Sequence, residues 1–297
     1  MLFGGTIIQH QIIEDAKKYA NENGYELIYG AMVGGISKGL QYSDSDYDTR
    51  FLYLNKGQLD KIYLPWNEKE DDLKHRCYFD DKPYEWIPLW EFTSFIQFLK
   101  NPAFDGKVSF GLYNVVGWTF QSPYAWDPYG LQMKICPLLN RAFRSDYFVP
   151  YHIEQISQYF SEEEIVIKDY LYAIYSALAI KWSQQYASFQ PVYMKTLVRA
   201  VAPDHLKQKL LDLIEQSKKI SGDYLATHKN GNLHDSHYIG KVSHDWEIDA
   251  FIKEMLAYGT TELVGRVDEE YVESIIREIY GLVNESIRLE TKVYGVS

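Results

Sequence analysis

The chain has 297 residues, a hydrophobic fraction of 46% and a formal net charge of −11. That length holds one large domain or two ordinary ones, and that apolar fraction builds a core, which excludes a disordered chain. The acidic balance excludes a protein that grips long nucleic acid over its whole surface, because displacing counterions needs a basic face.

Residues 6–23 are predicted to be helical. Ile7, Ile8, Ile12, Ile13, Ala16 and Ala20 mark one face of a 3.6-residue period, and Asn23-Gly24 stops it. Tyr25–Val33 is short and largely apolar and reads as a buried strand. Gly34–Gly39 reads as a glycine-rich turn, and Tyr47–Leu54 as a second strand. The polar stretch Gln58–Asp81, with its acidic run at 67–72, is expected to be an exposed loop or hairpin. Pro83–Pro88 reads as a third short strand. Leu89–Lys100 reads as a helix with Phe92, Phe95, Ile96 and Leu99 on one face, ended by Asn101-Pro102.

From about residue 145 the pattern is helical almost to the end. Ser161 and Glu164 have the spacing of a capping box, ahead of a helix carrying Ile167, Leu171, Ile174, Leu178 and Trp182. Leu206–Ser217 is amphipathic, and Val272, Ile275, Ile276, Ile279, Leu282 and Val283 mark a last helix. The expectation is an α+β protein. A small mixed sheet would lie in a domain spanning 1–147, and a helical-bundle domain would span 148–297.

Cys77 and Cys136 are the two cysteines, too few for a disulfide framework or a zinc cluster, and neither lies in a C-x-x-C spacing. Reduced, structural thiols suit a cytoplasmic protein. The first twenty residues do not read as a signal peptide, and no apolar run reaches the ~18 residues of a membrane span, so no membrane partner is expected.

The chemistry concentrates in Gly34–Arg50, GGISKGLQYSDSDYDTR: strand, glycine turn, then Asp44, Asp46 and Asp48. On a strand, residues two apart share a face, so Asp46 and Asp48 are expected to point the same way. Their mutual repulsion is relieved by a divalent cation. Magnesium suits them, being hard, oxygen-seeking and usually held by one or two carboxylates plus substrate phosphates. The glycine turn upstream lets phosphate oxygens approach the backbone. Phosphate beside metal is the arrangement of phosphoryl-group chemistry. A Walker loop is absent, as is a dinucleotide fingerprint.

Gly34-Gly35 followed by Asp46-x-Asp48 resembles the signature of DNA polymerase β-like nucleotidyltransferases. The longer string, Gly-x4-Gly-Leu-x3-Asp-Ser-Asp-Tyr-Asp-x-Arg, is similar to the RNA-ligase-associated predicted nucleotidyltransferase branch. Gly34, Gly39, Leu40, Asp44, Ser45, Asp46, Tyr47, Asp48 and Arg50 fit it. The resemblance implies a nucleotidyltransferase core and a third carboxylate on a later strand, which Glu85 in Tyr84-Glu85-Trp86 matches, with Asp80 and Asp81 as neighbouring competitors. Gly35 stands where the family has a serine, so Ser37 or Ser45 is left to supply a hydroxyl. Lys168 and Leu178–Pro191 resemble the helical domain of the branch, but an arginine that the branch carries near Tyr175 is absent.

The resemblance implies two magnesium ions on Asp46, Asp48 and Glu85 and a nucleoside triphosphate, ATP first among them, in a cleft between the two halves. Gly34, Gly35, Ser37, Ser45, Arg50, Lys168 and Lys181 are the candidate nucleotide contacts. Arg50 also reads as an ion-pair partner of the acids, and the two lysines as ordinary exposed helix residues. The acceptor is left open between an RNA end, a small hydroxylated molecule and a protein. Extended duplex DNA is not expected. A non-catalytic nucleotide-binding protein on the same fold is the alternative. His228, His234, His237 and His244 lack any metal-ligand spacing and read as part of an exposed loop.

Overall fold

The computed structural model describes residues 7–40, 47–55, 74–78, 86–104, 107–161, 165–227, 240–261 and 267–294. The chain forms two compact units. The first comprises Met1–Gly34, Tyr47–Phe143 and Val267–Ser297, and the second comprises Gly35–Asp46 and Arg144–Arg266. The architecture is mixed α+β, as composition and periodicity anticipate.

The first unit is built on a five-stranded sheet. Its strands are β1 (Tyr25–Met32), β2 (Thr49–Asn55), β3 (Lys74–Tyr78), β4 (Trp86–Glu91) and β7 (Ala125–Trp126), in the order β3-β4-β2-β1-β7. β1 and β2 are antiparallel, β2 and β4 parallel, and β3 and β7 pair antiparallel with β4 and β1. β1 is buried without alternation from Leu27 to Met32, because both α1 (Ile7–Glu22) and α4 (Phe110–Phe120) pack against it. A strand covered on both faces reads as a continuous apolar run rather than an alternating one. The predicted face of α1 is the buried one, through Ile12, Ile13, Ala16 and Ala20.

The remaining helices of this unit are α3 (Phe92–Gln97), α5 (Leu131–Arg141) and α11 (Glu269–Tyr294), and a two-stranded ribbon joins β5 (Ala103–Phe104) to β6 (Lys107–Val108). α11 packs on α5 and α3. The Tyr280 hydroxyl donates to the Thr93 carbonyl at 2.8 Å, and Lys100 meets Glu273 at 2.8 Å. The last helix of the chain, grouped by its periodicity with the helical half, therefore completes the sheet unit.

The second unit is helical. It contains α6 (Ser145–Tyr159), α7 (Ile167–Tyr186), α8 (Met194–Val201), α9 (Asp204–Thr227) and α10 (Trp246–Thr261), together with a ribbon of β8 (Ile165–Val166) and β9 (Lys241–Val242). α7 is the central helix, packed by α6, α8, α9 and α10. Its Tyr170, Leu171, Ala173–Ile180 segment is buried, so the middle of the helix is covered on nearly all sides, as a core helix is. A short α2 (Gly34–Lys38) leads into this unit from β1.

Several expectations are corrected. Gly34–Gly39 is one turn of helix rather than an open turn. The second strand begins at Thr49, so Asp48 precedes it. The third expected strand, 83–88, lies later, at 86–91, and the helix expected from Leu89 begins at Phe92, because Glu91 caps it: the carboxylate accepts from Ser94 N and Thr93 Oγ1, both at 2.7 Å. Within the polar stretch 58–81, expected as an exposed loop or hairpin, β3 pairs antiparallel with β4 as a hairpin strand would, and the acidic run 67–72 lies outside the described residues. α7 starts at Ile167 with Val166 as its N-cap, so Ser161 does not cap it.

Candidate functional site

The motif sits where β1 ends and β2 begins. Their ladder runs through Met32↔Thr49 and is extended by Val33 N donating to the Asp48 carbonyl at 2.8 Å. This bond holds the Asp48 backbone at the mouth of the hairpin, and its side chain is exposed. Gly34 faces it with φ +63°, a conformation that costs other residues about 1–2 kcal/mol. A Cβ built on Gly34 would also stand 2.8 Å from Asp48 Cγ, closer than packing permits. The glycine is thus required twice, by the turn and by the carboxylate lying over it.

The second glycine of the motif closes the same helical turn. Gly39 has φ +72°, its N–H donates to the Ile36 carbonyl at 3.1 Å, and the Leu40 N–H donates to the Gly35 carbonyl at 2.9 Å. A Cβ there would run into the ring of Tyr193. The Gly-x4-Gly spacing is therefore the length of one turn with a left-handed residue at each end. Gly35 is different. It has no positive φ, and a Cβ there would make only ordinary contacts, 3.8 Å from the Leu40 carbonyl oxygen and from Tyr172 Oη.

Arg50 shares the Asp48 face of the hairpin, two residues on. It is half-buried, with its guanidinium 5.7 Å from the centre of the Trp90 ring and a buried Nε that has no hydrogen-bond partner among the described residues. Burial lowers its pKa to about 10 while the Asp48 carboxylate acts in the opposite direction. It stays charged at neutral pH, and its place beside Asp48 suits the ion-partner role better than a direct substrate contact.

Asp44, Ser45, Asp46, Asp80, Asp81 and Glu85 lie outside the described residues, as do His228, His234 and His237. Among the described residues no three His, Cys, Asp or Glu side chains gather as a metal cluster. β4 lies beside β2 in parallel, with Phe51 level with Leu89. Glu91, at the C-terminal end of β4, is committed to capping α3.

In the second unit Ser37 is 1% exposed, so its hydroxyl is inside the fold and poorly placed for a ligand. Lys168 and Lys181 are thirteen residues apart on α7, about 20 Å along the axis and on different faces. One triphosphate tail cannot engage both. A cation beside the glycine turn is Lys38, which no motif spacing marks. Its ammonium lies 4.6 Å over the Tyr172 ring and 5.0 Å over the Tyr175 ring. The arginine expected near Tyr175 is absent from α7, and a positive charge reaches that position from α2 instead. Tyr175 is buried and accepts from Gln190 Nε2 at 3.2 Å. His152 is buried alongside, 6.4 Å from Tyr175 between ring centres. Burial, then the Lys38 charge, pushes its pKa down to about 3, so the imidazole is neutral. The available signal was position: Lys38 stands directly before Gly39.

His244, expected on an exposed loop, is instead partly buried. Its Nδ1 lies 3.0 Å from Asp249 Oδ2, and Tyr170 donates to Asp249 Oδ1 at 2.6 Å, which ties α10 to α7. Among the described residues no helix is long and apolar enough to cross a membrane.

No protein-family model matches the chain. No solved structure matches it. It is 23% identical over 219 residues to the "Uncharacterized protein YcgL" of Bacillus subtilis (strain 168), covering 71% of this chain and 77% of that protein.

Proposed function

We propose that the chain is a magnesium-dependent nucleotidyltransferase, transferring a nucleoside monophosphate from a nucleoside triphosphate to a hydroxyl acceptor. The observation that carries this is the exposed Asp48 carboxylate seated on Gly34 at the open end of the β1–β2 hairpin, the position at which the motif needs an acid beside a bare backbone. Hard carboxylate oxygens from Asp48, with Asp46 and Glu85 as its companions in the sequence, fit magnesium and its preference for oxygen. When bound, magnesium would neutralise phosphate charge and lower the pKa of the acceptor hydroxyl.

The residues of the chain divide the remaining work. Gly34 makes room for the Asp48 carboxylate, Gly35 leaves backbone open to phosphate, and Lys38 supplies a positive charge beside the same turn. Arg50 balances the charge of Asp48. Glu85 takes the proton of the acceptor hydroxyl as that oxygen attacks the α-phosphorus in line. The bond from the α-phosphorus to the bridging oxygen breaks, and pyrophosphate leaves. ATP is the first co-substrate to test. An RNA end, a small hydroxylated molecule and a protein side chain are the candidate acceptors, and the cytoplasm is the proposed compartment.

A non-catalytic nucleotide-binding protein is the second reading, favoured by Gly35 in the place of a serine and by the buried Ser37. The two are separated by incubating the chain with magnesium, each labelled triphosphate and cell extract. Label appearing in RNA, protein or a small molecule with equimolar pyrophosphate supports transfer. Tight triphosphate binding without pyrophosphate release supports the binding protein.

A further inference from the structure

Residue 35 poses a specific question. Nothing in the backbone requires glycine there, and the space beside it is ordinary. What stands at the edge of that space is the hydroxyl of Tyr172, 3.8 Å from the position a Cβ would take. A serine hydroxyl is one bond from its Cβ, so Tyr172 Oη borders the region that a serine oxygen would occupy. The ring that carries this hydroxyl is held from two directions. Lys38 lies 4.6 Å over its centre, and Tyr159 stacks on it with centroids 5.3 Å apart and planes at 28°. On the same helix Tyr170 and Tyr175 are buried, whereas Tyr172 is only half-buried. A phenol so oriented, beside a fixed ammonium, is a donor pair matched to an oxyanion.

We propose that the Tyr172 hydroxyl replaces the missing serine hydroxyl at this turn. It donates a hydrogen bond to a non-bridging oxygen of the triphosphate tail, with Lys38 as the neighbouring charge. The assignment rests on the nucleotidyltransferase reading and adds to it the group that recognises the phosphates. Tyr159 and Tyr175 are positioning residues, acting through the ring and through Lys38.

The test uses the full chain, magnesium, the four α,β-methylene nucleoside triphosphates and inorganic tripolyphosphate. Tyr172→Phe keeps the ring under Lys38 and removes only the hydroxyl. It is expected to weaken both the preferred nucleotide and tripolyphosphate by about tenfold or more, the loss of one hydrogen bond to a charged group. Tyr172→Leu, which also frees Lys38, is expected to lose more. Gly35→Ser should raise affinity in the Tyr172→Phe background by more than it does in the wild type, because the two hydroxyls serve one oxygen. Equal gains in both backgrounds overturn the proposal. So does unchanged binding by Tyr172→Phe, or a loss confined to nucleotides with tripolyphosphate unaffected. Should Tyr172→Phe not fold, 3-fluorotyrosine placed at position 172 gives a second readout: its fluorine resonance shifts on adding tripolyphosphate, and an unmoved resonance refutes the contact. A wild-type chain that binds none of the four nucleotides removes the nucleotidyltransferase reading itself, an outcome distinct from wild-type binding that ignores Tyr172.

Discussion

Replacing Gly34 with alanine perturbs the motif at its tightest point. The φ of +63° costs a residue with a Cβ about 1–2 kcal/mol. The new methyl would also press on Asp48, whose Cγ is 2.8 Å and Cβ 3.0 Å from the built position. Asp48 is exposed, so its carboxylate can swing away. The added cost is then modest in stability and large in geometry. Thermal melting should show Gly34→Ala lowered by on the order of 5 °C, from ~2–4 °C per kcal/mol in proteins of this size class. Transfer activity should fall to background because the carboxylate has left its place. The decisive measurement is the double-mutant cycle with Asp48→Ala. Truncating Asp48 removes the carboxylate that the methyl strikes, so the double variant should be more stable than the two single losses predict, by about 0.5 kcal/mol or more. Additive losses would show that Asp48 does not lie over Gly34, and a Gly34→Ala chain as stable and active as the wild type would refute the site.

Asp46→Asn and Asp48→Asn are each expected to retain the fold by circular dichroism and to lose pyrophosphate release, and full activity in either refutes the metal assignment. Glu85→Gln is expected to bind magnesium–triphosphate with near-normal affinity while losing turnover; unchanged turnover would redirect the third acid to Asp80 or Asp81. The buried His152 predicts an acid-sensitive fold. Its folded pKa of about 3 lies below the ordinary 6.5, so the unfolded chain binds the extra proton between those values and stability falls as pH drops through that window. At pH 5 the loss from this group is about 2 kcal/mol relative to neutral pH, and denaturation of His152→Leu should show a stability drop smaller by that amount over the same interval. Binding to generic duplex DNA at physiological salt is expected to be weak, given the net charge of −11. A salt titration showing tight duplex binding with a steep slope would reverse the ranking of acceptors.

The parts of the fold legible in the sequence are those where one face is buried and the other wet. α1 shows its stripe because Ile12, Ile13, Ala16 and Ala20 turn inward, while His10, Gln11, Glu14 and Lys18 are exposed. α4, FGLYNVVGWTF, shows none, because most of it is apolar and much of it is buried, and two glycines interrupt it. The same holds in part for α7, whose three- and four-residue spacing marks one face of a helix that is buried on nearly all of them. The start of α3 is hidden because Glu91 reads as an ordinary charged residue, whereas its carboxylate accepts from Ser94 N and Thr93 Oγ1. The placement of α11 depends on contacts such as Tyr280 with Thr93, 187 residues apart, which no local period carries.

The site was legible in a similar, uneven way. Gly34, Gly39 and Asp48 are visible because their spacing is set by local geometry: one helical turn, a left-handed residue at each end, and a carboxylate over the first. Lys38 and Tyr172 are not visible, because what joins them is a packing of α2 on α7 across more than 130 residues of chain. A lysine on a short turn reads as solvated, and tyrosines three apart on an apolar helix read as core. The absent arginine near Tyr175 removes a charge from that helix position alone. A binding surface needs only that a charge arrive, and the two tyrosine rings at 4.6 and 5.0 Å are what bring the Lys38 ammonium to that place. A loss at one position and a gain at another can therefore leave the local chemistry intact. For that reason the departures of this chain from the motif, Gly35 and the missing arginine, weigh less against catalysis once Tyr172 and Lys38 are counted with them.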